Sequence, residues 1–345
     1  MMNRKRPWWY TINCLIVLLG GVLLLAACSK DPVTSGKEAE DRTRIGYVLE
    51  DNFNFSICHE LLVYTGQSER LKSNTAATLL APDNNAFNLL RLGNIPATPY
   101  DRDWFTQVAV YATLPGRYSF RQLPLGDNQP VSSANGYHAY VSRYLAGTDT
   151  VTRVNGVVMS DIDVKAGNGY LQIATQVIRP ENTRHLAQLL VSDTTLTLFA
   201  LAVQHSGLMP LLQTNEYTVL APVNAVMRTK GALKPGFNLT TPDSILAIPP
   251  AELAALLKYH VLPGRSFLDR IHRMADTSVN HALVTLNGEK IGIGGSVQTY
   301  NGTSFTGNKN SVPAKIYRFG GEAINLANCP AGNGVVHGID NILLP

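Results

Sequence analysis

Two spacings of apolar residues run through this chain, and each is used twice. Leu253, Leu256, Leu257 and His260 stand at i, i+3, i+4 and i+7, one face of a 3.6-residue period. That spacing predicts a buried helix, and Leu262-Pro263-Gly264-Arg265 predicts its end. Proline at the second position and glycine at the third suit a type II turn, and the proline disfavours helical backbone at Leu262. The same device occurs earlier as Tyr111-Ala-Thr-Leu-Pro115-Gly116-Arg117, at an offset of 148 residues (263 − 115). At that offset Phe105, Val108, Ala109 and Ala112 fall under Leu253, Leu256, Leu257 and His260, so the pattern predicts a duplicated domain.

The flanking segments recur in the same order. Helical signals at Val48–Asp51 and Phe55–Tyr64 are answered by His185–Ser192 and Leu196–His205, and glycines at 66 and 207 stand where a helix C-terminus wants one. Short strands follow, Thr78-Leu-Leu-Ala-Pro82 and Thr218-Val-Leu-Ala-Pro222. Asn84 and Asn224 come next, placed to hold a turn or cap the following helix. Beyond each Leu-Pro-Gly-Arg turn the pattern becomes two-residue and β-rich. Asn155-Gly156 marks a hairpin between Thr150 and Met159. Final strands begun by Asn168-Gly and Asn333-Gly run towards Pro180 and Pro345, at a constant offset of 165 (333 − 168). Repeat two also carries a Gly-, Asn-, Ser- and Thr-rich stretch over Gly292–Lys315 that reads as a long loop.

The first 27 residues differ in kind. Arg4, Lys5 and Arg6 precede an apolar run over Leu15–Leu25, and small residues lead to Cys28, the layout of an export signal. Leu25-Ala-Ala-Cys28 resembles the lipobox of bacterial lipoproteins. That resemblance implies cleavage before Cys28, a diacylglycerol on its sulfur and membrane attachment through acyl chains. Ser29 in the next position resembles outer-membrane sorting, with either the periplasmic or the surface face possible. Residues 28–41 are polar and read as a flexible tether, 42–180 as the first domain and 181–345 as the second. Cleavage removes three cations from the formal +4, which leaves about +1 (4 − 3) and no basic footprint for nucleic acid. Cys58 and Cys329 are then the only thiols besides the lipidated one. Cys58 aligns with Phe199, which favours a structural core cysteine over a disulfide.

In combination, four ordered blocks resemble the fasciclin domain family. They are the opening helix with its glycine, Thr-x-Leu-Ala-Pro-x-Asn, Tyr-x-x-Leu-Pro-Gly, and the closing Asn-Gly strand. The resemblance covers nearly all of the chain from about residue 42, twice. It implies an α+β fold of two tandem domains, each a β-wedge or small β-sandwich flanked by helices. It further implies adhesion or matrix contact, without a cofactor. Carried over by position, its motif residues are Asn84, Tyr111, Pro115 and Gly116 in repeat one. In repeat two they are Asn224, Tyr259, His260, Pro263, Gly264, His337 and Asp340. Repeat one lacks both histidines, having Ala112 and Gln172 instead, which makes repeat two the fuller copy.

Chemistry adds little to that picture. No His-x-x-x-His, Cys-x-x-Cys or Gly-x-Ser-x-Gly occurs, and adjacent Cys58-His59 point apart on a helix. His260, on the apolar face, reads as a structural histidine bonded to backbone. Asp161 and Asp163 read as solvated side chains at a strand end. Asp149-Thr-Val151, Asp193-Thr-Thr195 and Asp243-Ser-Ile245 resemble a three-residue O-glycosylation acceptor of Gram-negative envelope proteins. The expectation is a lipid-anchored binding protein with a protein, matrix or polysaccharide partner, no metal and no catalytic residues. The alternative is a glycan-binding accessory of a nutrient-uptake system, with Tyr300, Phe305, Tyr317 and Phe319 as a candidate aromatic platform. A polysaccharide-active enzyme is the third reading. The oligomeric state is open.

Overall fold

The structure, a computed structural model, describes residues 41–89, 102–296, 302–317 and 326–345. The signal stretch, Cys28 and the tether up to residue 40 lie outside the described residues. Repeat one opens with helices α1 (Ile45–Glu50), α2 (Ser56–Tyr64) and α3 (Ser68–Lys72). Strand β1 (Ala77–Pro82) leads to α4 (Asn84–Asn88), α5 (Arg102–Ala112) and β2 (Thr113–Pro115). The remaining strands are β3 (Gly126–Ser132), β4 (His138–Ala146), β5 (Asp149–Val154), β6 (Val157–Ala166) and β7 (Gly169–Ala174).

Repeat two repeats the plan. Helices α6 (Leu186–Ser192), α7 (Thr197–His205) and α8 (Met209–Thr214) precede β8 (Tyr217–Pro222) and α9 (Asn224–Lys230). An extra ribbon, β9 (Ala232–Lys234) with β10 (Phe237–Asn238), and α10 (Pro242–Leu246) intervene before α11 (Pro250–Tyr259) and β11 (Val261–Pro263). After α12 (Leu268–Asp276) come β12 (Ala282–Val284), β13 (Lys290–Gly294), β14 (Ser304–Thr306), β15 (Ala314–Lys315), β16 (Cys329–Ala331) and β17 (Gly334–Ile339).

Each repeat is organised on the same three strands. In repeat one the sheet order is β2-β1-β7-β6-β5-β4-β3, and in repeat two the corresponding sheet is β11-β8-β17-β16. The first strand pairs parallel with the last and antiparallel with the strand that carries the Leu-Pro-Gly turn. The registers coincide: Ala77 faces Gly169 and Pro115, while Tyr217 faces Gly334 and Pro263. All six residues of β1 are buried. A strand covered on both faces reads as a continuous apolar run, which is why Ala-Thr-Leu-Leu-Ala-Pro shows no alternation. At both turns the glycine takes the positive φ that a type II third position requires, 109° at Gly116 and 76° at Gly264. Asn155 and Gly156 turn β5 into β6 with φ of 49° and 79°, the positive pair of a two-residue hairpin.

The cores are separate. Leu61, Leu62, Phe87 and Phe105 pack on the helical side of repeat one, while Tyr111, Phe120, Val141 and Val154 pack under its sheet. Phe199, Leu253 and Leu257 do the first job in repeat two, and Tyr259, Phe305 and Ile316 the second. A cluster of three, Tyr140, Phe267 and Val335, is shared between the halves. Cys58 and Cys329 lie free and buried in the helix-side cores of different repeats, so no disulfide joins them. Burial pushes the Cys58 thiol up to about 12 and raises that of Cys329. Both should resist iodoacetamide at pH 8 in the native protein and label fully in denaturant, as read by peptide mass. Labelling of either thiol without unfolding would contradict this packing.

Several expectations are corrected. The region after the second Leu-Pro-Gly turn is not all strand: α12 buries Leu268, Ile271 and Ala275, an i, i+3, i+7 stripe. The stretch Gly292–Lys315 is not a plain loop, because β13, β14 and β15 pair within it as a meander; residues 297–301 lie outside the described ones. The closing strands stop at Ala174 and Ile339, short of Pro180 and Pro345. Helices α3, α8 and α10 have no counterpart in the sequence reading; each is only five or six residues long.

Candidate functional site

The motif side chains face inward. Tyr111 and Tyr259 are fully buried, and their hydroxyls stitch across the sheet. The Tyr111 hydroxyl donates to His138 O at 2.7 Å and accepts from Asn155 Nδ2 at 2.7 Å. The Tyr259 hydroxyl donates to Lys290 O at 2.7 Å and accepts from Asn308 N at 3.1 Å. His260 caps α11: its Nδ1 lies 3.1 Å from Leu256 O, and its Nε2 accepts from Leu343 N at 3.0 Å. His337 accepts from Asn328 N at Nδ1 (3.1 Å) and lies 3.0 Å from Ser266 O through Nε2. In each ring the acceptor nitrogen faces a backbone N–H, so the neutral tautomer is dictated by its partners. Burial pushes both histidines down to about 4, against a smaller opposing pull from the backbone carbonyl each one faces.

Asn84 and Asn224 do not cap the helices that follow them. Asp83 caps α4 by accepting from Ala86 N at 2.8 Å. The Asn84 amide instead reaches back 27 residues, accepting from Ile57 N at 3.1 Å and donating to Phe53 O at 2.8 Å. Asn224 does the same to Leu198 N (2.9 Å) and Thr194 O (2.9 Å). Its purpose is to fasten the start of the second helix to the end of the first strand, where unpaired helix N–H groups need a partner. Asn168 and Asn333 are a second such pair. Asn168 accepts from Ile45 N at 2.9 Å and donates to Leu71 O at 2.9 Å; Asn333 accepts from Leu186 N at 2.7 Å and donates to Leu212 O at 3.0 Å. Thr78 and Thr218 likewise each bridge their turn, donating to Gly116 O (2.9 Å) and Gly264 O (2.7 Å).

The repeats solve one buried junction with different chemistry. Asn328 accepts from Leu268 N at 2.9 Å, as Asp163 accepts from Phe120 N at 2.7 Å. Gln172 stands where His337 stands, accepting from Asp163 N at 2.9 Å and donating to Tyr118 O at 3.1 Å. Asp163 is therefore not a solvated strand-end carboxylate. Burial alone would raise its carboxyl, but hydrogen bonds from Ser119, Gln172 and the Arg121 and Phe120 amides hold it below the usual range. Asp161 is exposed and bonded only to Ile162 N, so the two carboxylates do not converge. Asp340 accepts from the Lys315 N–H through its carboxylate and so pins β15 to the end of β17.

Arg265, the last residue of the second Leu-Pro-Gly-Arg turn, is only 3% exposed. It donates to Ala331 O (2.9 Å), Gly332 O (2.8 Å) and Gly334 O (3.0 Å), and its guanidinium lies 3.7 Å from the ring centre of Tyr140 in repeat one. Around it Asp127 of repeat one pairs with Arg270 at 3.3 Å and with Arg273, and Arg273 covers the Tyr144 ring at 4.0 Å. Glu181 is buried here; burial raises its carboxyl, opposed by a Tyr140 hydrogen bond and by Arg265. Burial likewise raises Asp269 despite Arg153 and Arg273 nearby. The halves thus meet through a cation–aromatic and ion-pair seam, which nothing in the motif pattern announced.

Of the aromatic platform considered in repeat two, Phe305 is core and Tyr317 packs on the helix-side cluster. Tyr300 and Phe319 lie outside the described residues. No group of three or more His, Cys, Asp or Glu side chains is placed to hold a metal ion among the described residues. Of the three acceptor-like triplets, Thr150 and Thr194 are exposed, whereas the Ser244 hydroxyl is engaged in a capping box with Thr241.

This doubled scaffold is that of a known family. The Fasciclin domain model matches residues 53–180 and again 194–345, so the chain belongs to the fasciclin domain family. Protein sll1483 of Synechocystis sp. is 27% identical over 153 residues, 44% of this chain and 81% of that protein. A FAS1 domain pair from the insect cell adhesion molecule fasciclin I is 18% identical, covering 87% of this chain and 96% of its own, with a TM-score of 0.40. The chain is therefore an α+β tandem fasciclin protein, and fasciclin domains are generally modules for adhesion or protein binding.

Proposed function

We propose that this is a lipid-anchored envelope protein that holds a protein or matrix ligand through two fasciclin modules, by contact and not by catalysis. The observation that carries the reading is a whole binding-module scaffold present twice, with its motif tyrosines and histidines bonded to the protein's own backbone. Such side chains hold the shape of a surface and do not themselves touch a partner. Attachment rests on Leu25-Ala-Ala-Cys28, and Ser29 favours the outer membrane. Two modules on one anchor strengthen weak contacts through effective concentration. The fuller motif set, as scaffold, and the β13–β15 meander support assigning the main contact to repeat two. Metabolic palmitate labelling should disappear in Cys28→Ala, with the protein leaving the membrane fraction. In pull-downs from matrix extracts, a chain ending at Pro180 should lose the ligand that the full chain retains; equal capture by both would overturn the assignment to repeat two.

A further inference from the structure

The turn entering the second helix is built alike in both repeats, yet one copy carries residues that the fold does not use. Asn52 Oδ1 accepts from Asn54 N at 3.0 Å, and Asp193 Oδ1 accepts from Thr195 N at 2.9 Å. Phe53 O and Thr194 O each accept from the amide of the strand-end asparagine. Phe55 and Leu196 fill the core beneath. These contacts account for the turn. They leave Phe53 unexplained, a phenyl ring 84% exposed on a backbone clamped from both sides, where repeat two has Thr194.

The ring stands at an open groove of about 720 Å³. Asn54, Asn85 and Asn88 line it with exposed side-chain amides that are tied to no other described residue. At the matching positions repeat two has Thr195, Ala225 and Arg228. Among the described residues no lysine, arginine or histidine lines the groove, and Asp83 contributes a carboxylate, so they offer an anionic ligand no counter-charge. Besides Phe53 the apolar lining is the buried Phe55 ring and the half-buried Ile57 and Ile173. The one exposed apolar group among these residues is therefore the Phe53 ring, set among amides, unlike the contiguous apolar centre of a protein interface. What it matches is a sugar: a flat apolar face of C–H groups lies on an aromatic ring, and amides can both donate to and accept from the surrounding hydroxyls.

We propose that this groove on repeat one binds a neutral hexose or pentose unit of a glycan, with Phe53 as the stacking platform and Asn54, Asn85 and Asn88 as hydroxyl partners. The site is independent of the protein contact assigned to repeat two. The test is titration calorimetry of the full chain in detergent against neutral hexasaccharides of glucose, mannose, galactose and xylose. At least one should bind saturably, and Phe53→Ala should weaken it by about tenfold or more. Asn85→Ala combined with Asn88→Ala should weaken it measurably, and Thr194→Ala in repeat two should leave it unchanged. Because Phe53, Asn85 and Asn88 are exposed, these variants should keep the parent urea midpoint. Absence of binding across the panel, or affinity that survives Phe53→Ala, would overturn the proposal. So would finding that Phe53→Ala abolishes capture of a protein while no saccharide binds.

Discussion

Acidification from pH 7 to 4.5 should destabilise repeat two through its buried histidines, and His337→Gln should remove a large part of that sensitivity. The sign follows from the depressed values. His260 and His337 sit near 4 in the folded protein and near 6.5 when unfolded, so above 6.5 both states are neutral and no linkage exists. As pH falls from 6.5 towards 4, only the unfolded chain takes up the proton, and stability is lost progressively. Each histidine contributes up to about 3 kcal/mol across that window, or about 1.4 kcal/mol per pH unit in its steep part. Protonation inside the fold would set a new N–H against the Leu343 or Asn328 amide that the ring accepts from. Glutamine is the informative replacement because Gln172 already spans the equivalent pair of backbone groups in repeat one without titrating. Urea unfolding of parent and variant at pH 7.5, 6.0 and 5.0 checks this. Similar stability at pH 7.5 and a shallower decline for His337→Gln is the expected result; parallel declines would refute it. Comparing the two proteins cancels the seam carboxyls Glu181 and Asp269, whose raised values act in the opposite sense.

Gly169→Ala should be among the most damaging single methyl additions in the protein, with Gly334→Ala close behind. A Cβ at Gly169 would lie 1.6 Å from Ala77 O, and one at Gly334 would lie 2.0 Å from Tyr217 O. Neither obstacle is a side chain that can swing away. Each is the carbonyl of the parallel partner strand at the first rung of the pairing. Relief requires parting β1 from β7, or β8 from β17, so the expected loss is about 4 kcal/mol or more, at the diagnostic end of single substitutions. Gly66→Ala provides the contrast: that glycine has φ of +75° but open space around its Cβ position, and should cost only about 1 kcal/mol. Equal midpoints for the two variants in urea would mean that the close strand approach is wrong.

What was legible in the chain was whatever the backbone demands locally. Proline and glycine at fixed places in a turn, an Asn-Gly pair between β-rich runs and a 3.6-residue apolar stripe all name their own geometry. They placed α11, the turns and the starts of the closing strands to within a few residues. The resemblance built on them supplied the α+β architecture. Asn84 and Asn224 were recognisable as fastening residues, but their partners lie 27 and 26 residues upstream, a distance no local rule spans. Helix α12 carries the same legible kind of stripe in Leu268, Ile271 and Ala275, but the purpose of the intervening Arg270 and Arg273, which pair with Asp127 of repeat one, is not readable from the sequence. Arg265 reads as a surface residue after a turn, but the carbonyls of Ala331, Gly332 and Gly334 and the Tyr140 ring of repeat one enclose it. Phe53 posed the opposite problem: two positions from the core phenylalanine Phe55, it gives no sign in sequence that its ring faces solvent.

The strand made last in each repeat lies inside its sheet and not at an edge. Because β7 lies between β1 and β6, and β17 between β8 and β16, a nascent repeat that lacks its final dozen or so residues has a gap where its sheet should be continuous. The opening helix waits as well, since the first amide of α1 or α6 is held by an asparagine just ahead of that strand. Such a polypeptide does not close piecemeal as it emerges from a ribosome or a translocation channel; each half snaps shut only after its tail has arrived. For the exported, membrane-anchored protein proposed above, that delay would be an asset.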